Sequence, residues 1–565
     1  MIVLGLSVFC DASAAIVSDG EIVCAVEEER INRIKHFEGM PWLAVEECLR
    51  LTGMTLNEID AIAVGWHPWQ GWGRRISVAI RDSVRRPAAM HTKLDRGGNY
   101  LQGIKDILRL RRSVQARFGG NVPDIHYVPH HLAHAASSFL ASPHDNAHVV
   151  VADGVGEAAT FTIYDGEGNS LKQKHATLYP HSLGHLYASV TGFLGFRPAS
   201  DEGKVMALAS YGEDRYHELF SDLCSTVNGG GTFRLNTDLL DYHEARQGQF
   251  SNEWIRRTRL QPRSKDDPLS EAHQDLACSL QSCIERTVFS MLAPELAGNG
   301  SKALCAAGGL FLNSVLNGRL VRELAADVFI QPAAGDNGVS IGAGLYVAAK
   351  LDNNFRRKPM RHAFLGTAYD DSEVQGALNE AQCAYTRPEN IARAVADEIV
   401  AGSIVARFVG QMEFGPRALG NRSILASPTI AGMKDTLNRK VKHRETFRPF
   451  AAAVLLEDVA EYFVGGKESS YMLKVFYFKP QYRDMFPSIC HVDGSCRLQT
   501  VTEEDNPHLH AVLTEMKKQT GHGMVLNTSL NVAGEPIVRT PQEAIKLIRT
   551  TEVDTLAVGS FLLKK

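Results

Sequence analysis

Ten cysteines are scattered through the 565 residues of this chain without one Cys-x-x-Cys pair or any regular spacing. That excludes a thiolate zinc module and a disulfide framework. It points to a reducing cytoplasm, with most of these side chains acting as small buried hydrophobes. Long hydrophobic runs are missing as well. No stretch reaches the length of a membrane span, and the opening MIVLGLSVFCDASAA lacks the basic start and cleavage site of a secretory signal. It reads instead as a buried first strand. A large excess of either charge is also absent: 60 basic residues face 64 acidic ones, a net charge of −4, which argues against a dedicated nucleic-acid binder. With 44% hydrophobic and 22% charged residues, the composition is that of a globular protein with room for two or three domains.

One segment departs from this balance. Between Arg74 and Arg117 there are twelve Lys and Arg against three Asp and Glu, with Trp69 and Trp72 just upstream. A solvated helical insertion explains it most simply. An anionic or phosphate-bearing partner, or a subunit contact such as a homodimer, is the functional reading.

Short apolar runs at 2–8, 12–18 and 22–27 surround the turn Asp19-Gly20, and a similar pattern returns with strands expected at 147–152 and 156–164 and a turn at Asp165-Gly166. This weak repeat suggests two related α/β lobes, roughly 1–145 and 146–350, the architecture of actin-like ATPases. A long helix is expected near 269–296, a strand at Ala303–Ala306, and a small-residue helix, GVSIGAGLYVAA, after Asp336-Asn337. Residues 351–362 form a polar, basic linker. A different α/β domain then runs from about 365 to the end, with strands near 403–408 and 523–526 and helices near 389–402 and 540–549.

The chemistry-bearing residues gather in a few places. His130 and His134 stand four apart in Pro129-His130-His131-Leu132-Ala133-His134, so on a helix their imidazoles share one face and can hold one metal. Asp153 and Asp336 each precede glycine turns. Either is equally a turn or cap residue taken alone, but together they would complete a two-histidine, two-carboxylate site for a divalent first-row metal. Gly154 and Gly156 would admit phosphate close to backbone N–H groups, and Gly308-Gly309 with Asn313 and Asn317 would do similar work beside a nucleoside. Lys204, in Asp201-Glu202-Gly203-Lys204, is either part of a charged helix start or a phosphate neutraliser. In the C-terminal half, Arg417 and Arg422 in FGPRALGNRS, then Lys442, Arg444, Arg448 and Arg497, lie beside turns that fix their direction. Cations aimed this way suit a small phosphorylated acid, although about half of them would serve equally as salt-bridge partners.

With these stretches in place, the chain resembles the NodU/CmcH family of O-carbamoyltransferases essentially from end to end. The shared stretches are DASAA-x-x-x-DG, EEERxxRxKH (Glu27 to His36), HHLAHAAS, DGxGE, EGKxMALA, AGGxxLN, FGPRALGxRS, RPFA and LNTSxNxxGEPIV (Leu526 to Val538). The resemblance implies an actin-like (ASKHA), two-lobed domain over 1–355, with an insertion at about 66–120. It also implies a C-terminal α/β domain over 365–565 similar to threonylcarbamoyl-adenylate synthase. The expected chemistry uses ATP, carbamoyl phosphate and Mg2+ to make carbamoyl-adenylate, then transfers the carbamoyl group to a hydroxyl of a small molecule, a natural product such as an antibiotic or a sugar. Neither membrane nor nucleic acid is expected as a partner.

By the same resemblance, His130, His134, Asp153 and Asp336 match metal ligands, with iron(II) expected ahead of zinc or manganese. Gly154, Gly156, Gly309 and Asn313 match nucleotide contacts. Lys442, Arg448, Arg497, Asn527 and Thr528 line the carbamoyl phosphate and ATP pocket, with Arg417 a lesser candidate. One position departs from the pattern: the family usually has His-Asp before ASAA, and this chain has Cys10-Asp11. A histidine there would be the base for the acceptor hydroxyl. Cys10 is a poor substitute unless its thiol is activated, and Asp11 is the replacement candidate. A transferase related to tRNA threonylcarbamoylation is the alternative function.

Overall fold

The structure, a computed structural model, describes residues 1–85, 101–227, 231–240, 250–297, 303–324 and 327–565. The basic segment 74–117 therefore lies partly outside the described residues. The chain divides into two compact units, one of residues 1–23 and 36–360, the other of residues 24–35 and 361–565.

The first unit is built on two five-stranded sheets. Strands β1 (Ile2–Ser7), β2 (Ser13–Ser18), β3 (Glu21–Glu27), β4 (Ala61–Val64) and β5 (Asp124–Tyr127) lie in the order β3-β2-β1-β4-β5. Strands β6 (Asn146–Ala152), β7 (Ala159–Glu167) and β8 (Ser170–Leu178) precede the small hairpin of β9 (Cys224–Val227) and β10 (Thr232–Leu235). The second sheet is completed by β11 (Ala303–Ala307) and β12 (Val328–Ile330), in the order β12-β11-β6-β7-β8. The two orders map onto each other. In each sheet the central strand pairs antiparallel with the strand that follows it (β1 with β2, β6 with β7) and parallel with the fourth (β4 or β11), which is parallel to the fifth. The duplicated lobe is the actin-like architecture.

The helix His130–Phe139 follows β5 yet packs on β6 and β11, and the helix Val339–Leu351 follows β12 yet packs on β1, β2 and β4. The two helices also pack against each other, and their small residues explain how closely. A Cβ on Gly342 would lie 1.8 Å from the Ala133 carbonyl oxygen, and one on Gly5 would lie 2.0 Å from that of Ser340. Only backbone-to-backbone contact fits at these positions.

Two local expectations are corrected. Asp165-Gly166 is not a turn: it lies inside β7, opposite Lys172 and Leu171, and the hairpin turns at Gly168-Asn169. Gly166 is small because the Phe139 ring packs where its Cβ would be, 2.7 Å away. The strand expected from Gly156 begins at Ala159, since Gly156 N–H donates to the Ala159 carbonyl and closes a turn.

The second unit carries a nine-stranded sheet of β13 (Val405–Phe408), β14 (Arg422–Ala426), β15 (Ala451–Leu455), β16 (Phe463–Val464), β17 (Lys474–Phe478), β18 (Ser495–Val501), β19 (Met524–Ser529), β20 (Thr555–Val558) and β21 (Phe561–Lys564). Their order is β16-β17-β18-β15-β19-β14-β13-β20-β21. The helices Ile391–Val400 and Pro507–Thr520 cover one face, where Val395, Ile399, Val405, Leu425, Leu509, Leu513 and Val525 form a core. Because side chains alternate along a strand, Asn527 and Ser529 fall on the same face as Val525.

Residues 24–35 bind into this second unit. Ala25 N–H donates to the Leu365 carbonyl, and buried Arg30 pairs with Glu27 and donates to the Gly415 carbonyl at 2.9 Å. Arg33 donates to the carbonyls of Ile537 and Pro536. The arginines of EEERxxRxKH thus fasten the FGPRALG and GEPIV segments. No described helix is long and apolar enough to cross a membrane.

Candidate functional site

In the first unit, the helix His130–Phe139 begins at Pro129, and its open N-terminus is met by a buried carboxylate. Glu157 accepts from His130 N–H at 3.0 Å and from His67 N–H at 2.7 Å. An anion at this end of a helix satisfies a backbone donor and complements the helix dipole. Glu157 belongs to the DGxGE stretch and was not singled out from the sequence. The signal was its pairing with glycines that leave no other obvious role for an acid.

His130 and His134 then project together, with their Nε2 atoms 3.2 Å apart. The His130 Nδ1 faces the Gly65 carbonyl at 3.2 Å, which favours the tautomer whose Nε2 lone pair is free. Asp153, at the end of β6, accepts from Gly309 N–H at 3.1 Å through one carboxylate oxygen and puts the other 3.4 Å from His130 Nε2. Asp336 opens the turn before the helix Val339–Leu351 and lies 3.4 Å from both histidine Nε2 atoms. The ligand atoms of His130, His134, Asp153 and Asp336 all lie within 4.8 Å of one another. The Gly342–Ala133 contact draws the two helices together and so brings Asp336 to the two histidines.

The electrostatics match this geometry. Burial opposes ionisation of both carboxyls, and for Asp336 the charge of Asp153 adds to it; His130 and His134 outweigh these and hold both acids below the ordinary carboxylate range. Burial works against a charged His130 as well, yet Asp336 and Asp153 raise its proton affinity well above that of an ordinary imidazole. The common demand of the cluster is a positive charge. Two imidazoles and two carboxylates, with no thiolate, suit a first-row divalent metal.

Around this cluster, Gly156 lies under the helix, where a Cβ would come within 3.1 Å of His130 and His131. Gly308 has φ +97°, and a Cβ there would meet the Ala152 carbonyl, so only glycine fits. Gly154 follows Asp153 in the chain, and Gly309 N–H donates to its carboxylate. Asn313 is used differently: its side chain caps the helix Ser314–Glu323 and exchanges two hydrogen bonds with Gln281. Lys204 pairs with Asp201 at 3.2 Å and rests over the Phe196 ring.

The second unit collects cations. Lys442 is buried, and its ammonium is held by the carbonyl and hydroxyl of Ser529 and by the carbonyl and side chain of Asn531. Burial, then the charges of Arg444, Arg448 and Lys35, push it well below the ordinary lysine range. Burial and Arg448 bring Arg417 down to about 10, and burial and Arg448 bring Arg444 to about 9. Burial and the charges of Arg417, Arg444 and Arg448 hold Arg497 well below the usual guanidinium value. These five groups repel one another, with Glu445, 3.9 Å from Arg448, set among them.

Lys442 and Arg444 are aimed by their surroundings. Arg444 donates to the Asn438 side chain at 2.7 Å and lies over the Phe450 ring. Arg497 and Asn527 flank Ala451 in one row across β18, β15 and β19, on the same face of the sheet. The Asn527 amide donates to Gln499, while its own carbonyl oxygen and the Arg497 Nε are buried without partners among the described residues. Thr528 points to the opposite face from Asn527. Arg422 differs from Arg417 although they share a motif: it is fully buried, donates to the carbonyls of Val409, Asn421, Thr367 and Gly410, and lies over Phe408. Arg422 is therefore a structural cross-brace.

Family models match both halves of the chain, a carbamoyltransferase N-terminus over residues 2–345 and a carbamoyltransferase C-terminus over 396–565. The chain belongs to the carbamoyltransferase family. Among its relatives, an uncharacterised protein of Synechocystis sp. is 37% identical over all of this chain and 96% of its own length. Nodulation protein NolNO of Sinorhizobium fredii is 34% identical over 98% of this chain and 79% of its own. Nodulation protein U of Bradyrhizobium diazoefficiens is 28% identical over 94% and 92%.

In this carbamoyltransferase Cys10 sits in a half-buried, acidic setting. Burial, then the charges of Asp336 and Asp11, push the Cys10 thiol well up, so it stays protonated. The Asp11 carboxylate accepts from His36 Nδ1 at 2.8 Å.

Proposed function

We propose that the chain makes carbamoyl-adenylate from carbamoyl phosphate and ATP in its second unit. Its first unit then passes the carbamoyl group to a hydroxyl of a small molecule, a natural product or sugar. The observation that carries this reading is the half-buried group of Arg417, Lys442, Arg444, Arg448 and Arg497, whose mutual repulsion an anion would relieve. Carbamoyl phosphate and the ATP phosphates are such anions. Fixed cations also stabilise the charge that gathers on departing phosphate and pyrophosphate, where one well-placed donor is worth roughly 3–4 kcal/mol of barrier. Lys442 contributes charge rather than a direct hydrogen bond, because Ser529 and Asn531 already take its donors.

In the first unit, the backbone around Gly154 and Gly156 would receive the AMP phosphate. A divalent metal on His130, His134, Asp153 and Asp336, for which iron(II), zinc and manganese are chemically suited, would supply Lewis-acid charge to the phosphate and carbamoyl oxygens. Residues 66–120 select the acceptor in this reading. Arg75 is bonded to the carbonyls of Glu157 and Gly156, Arg74 to that of Tyr179, and Gly103 lies where a Cβ would collide with the Phe9 ring. These contacts put Arg74 and Arg75 beside the metal-site loop and Gly103 beside Phe9, which supports that reading.

The test is to follow pyrophosphate and AMP from ATP, Mg2+ and metal-loaded protein, with and without carbamoyl phosphate. Pyrophosphate release that depends on carbamoyl phosphate is expected. Turnover on bicarbonate and threonine instead would replace this reading with threonylcarbamoyl chemistry.

A further inference from the structure

The loop from β1 to β2 is held in an uncommon conformation. Phe9 (φ +85°) and Asp11 (φ +46°) are left-handed without being glycine, as are His36 (φ +55°) and Ala199 (φ +57°). Such conformations are unfavourable for residues with a Cβ, and clusters of them mark sites where the surrounding structure over-determines a geometry. Here they surround one arrangement. Asp11 accepts from His36 Nδ1 at 2.8 Å, and His36 Nε2 faces the Ser200 hydroxyl at 3.3 Å. Backbone bonds from Ala12 N–H to the Phe37 carbonyl and from Gly39 N–H to the Phe9 carbonyl fix the two segments side by side.

This carboxylate–imidazole–hydroxyl chain adjoins the metal cluster. Cys10, next to Asp11, feels the charges of Asp336 and Asp153, and Ser13 Oγ donates to the carbonyl of Asn337, the neighbour of Asp336, at 2.6 Å. The imidazole and the Asp11 carboxylate are each about a third exposed (28% and 32%), so solvent and a ligand can reach them.

We propose that His36, oriented by Asp11, is the general base of the transfer step. The inference rests on the two-stage reading above. With Nδ1–H committed to Asp11, the basic lone pair is on Nε2, and an acceptor hydroxyl takes the place where Ser200 Oγ now makes a long contact. The acceptor O–H bond breaks and its proton passes to His36 Nε2. The freed oxygen pair forms the bond to the carbamoyl carbon, and the bond from that carbon to the AMP phosphate oxygen breaks, AMP leaving with the electron pair. The imidazolium then returns its proton to solvent. Asp11 is a positioning residue, not the base itself.

The experiment uses the full-length, metal-loaded chain with ATP and carbamoyl phosphate, and glycerol in water as the probe acceptor. Pyrophosphate reports adenylate formation; AMP and carbamoylated glycerol report its discharge. His36→Ala and His36→Gln are expected to keep the pyrophosphate burst and the bound metal while slowing discharge by about 10²–10⁴-fold, the usual worth of a general base. Asp11→Asn is expected to lower kcat for discharge without changing the glycerol KM. Adding Cys10→His to His36→Ala returns an imidazole next to Asp11 and should recover at least tenfold. Discharge within threefold of wild type in both His36 variants, with the burst intact, overturns the assignment of His36. A double variant no faster than His36→Ala also counts against it. If wild-type protein releases no pyrophosphate in response to carbamoyl phosphate, the two-stage reading fails instead.

Discussion

At the start of the helix His130–Phe139, two carboxylates and two imidazoles meet where two helix backbones touch. At the end of the nine-stranded sheet, five cations meet with Glu445 set among them. Both groups are withdrawn from water, and both are unbalanced, in opposite senses. The first site is short of positive charge, and its histidine becomes more basic as a result. The second is short of negative charge, and its lysine becomes less basic. Burying one sign of charge is costly unless a partner arrives, so each group is a specification of its ligand. They also differ in construction. The metal donors are fixed by glycine contacts in the core, whereas the cations are fixed by carbonyls, an asparagine and aromatic faces.

The sharpest way to break this contrast is Arg497→Ala. Pyrophosphate release should fall by about 10²–10³-fold, the cost of losing one preorganised donor, while bound metal is unchanged. Relief of repulsion should also raise the melting temperature of the ligand-free protein and abolish its further rise on adding phosphate. A lower melting temperature would show that the cations do not repel as described. His134→Ala tests the other side. It should lose the divalent metal and slow discharge by about 100-fold or more, at least the cost of losing a supporting contact, with the pyrophosphate burst intact. Metal analysis beside both assays decides it, and a metal-replete variant would take His134 out of the donor set.

Glu157→Gln should act more mildly, because it weakens the cap of the His130 helix without removing a ligand; about tenfold in metal affinity is expected. Titration of metal-free protein with zinc measures it, and no change would leave Glu157 a folding residue only. The smallest effect is on pH dependence. The folded Lys442 pKa lies below the unfolded value of about 10.4, so between the two the unfolded chain binds more protons. Ligand-free stability contributed by this site should therefore rise as pH climbs through the depressed value, and phosphate affinity should fall over the same window. Urea unfolding of wild type against Lys442→Met reads the difference, which should vanish above the unfolded pKa. A stability difference that does not change with pH would mean that the Lys442 pKa is not depressed.

Much of the first unit was legible because its signals are local. The spacing of His130 and His134 encodes a shared helix face, and GVSIGAGLYVAA announces a helix made for close packing. The hairpin at Asp165-Gly166 was misplaced because those residues serve a different need: Gly166 makes room for Phe139, a contact distant in sequence. Asn313 had the right neighbours for a nucleotide contact, yet the helix it caps and its bonds to Gln281 already use it. In FGPRALGNRS nothing local separates Arg417 from Arg422. Burial separates them, sending one to the cation group and the other into a cage of carbonyls.

The sequence by itself determined that the chain is a duplicated α/β carbamoyltransferase with a paired-histidine helix and a C-terminal run of aimed cations. Periodicity, turn residues and family stretches are all written within a few neighbours. Tertiary structure alone decided how closely Asp153 and Asp336 approach the histidines, that residues 24–35 serve the second unit, and that His36 stands on Asp11. Each of these depends on packing between distant segments, where a single Cβ at Gly342 or Gly308 would change the answer.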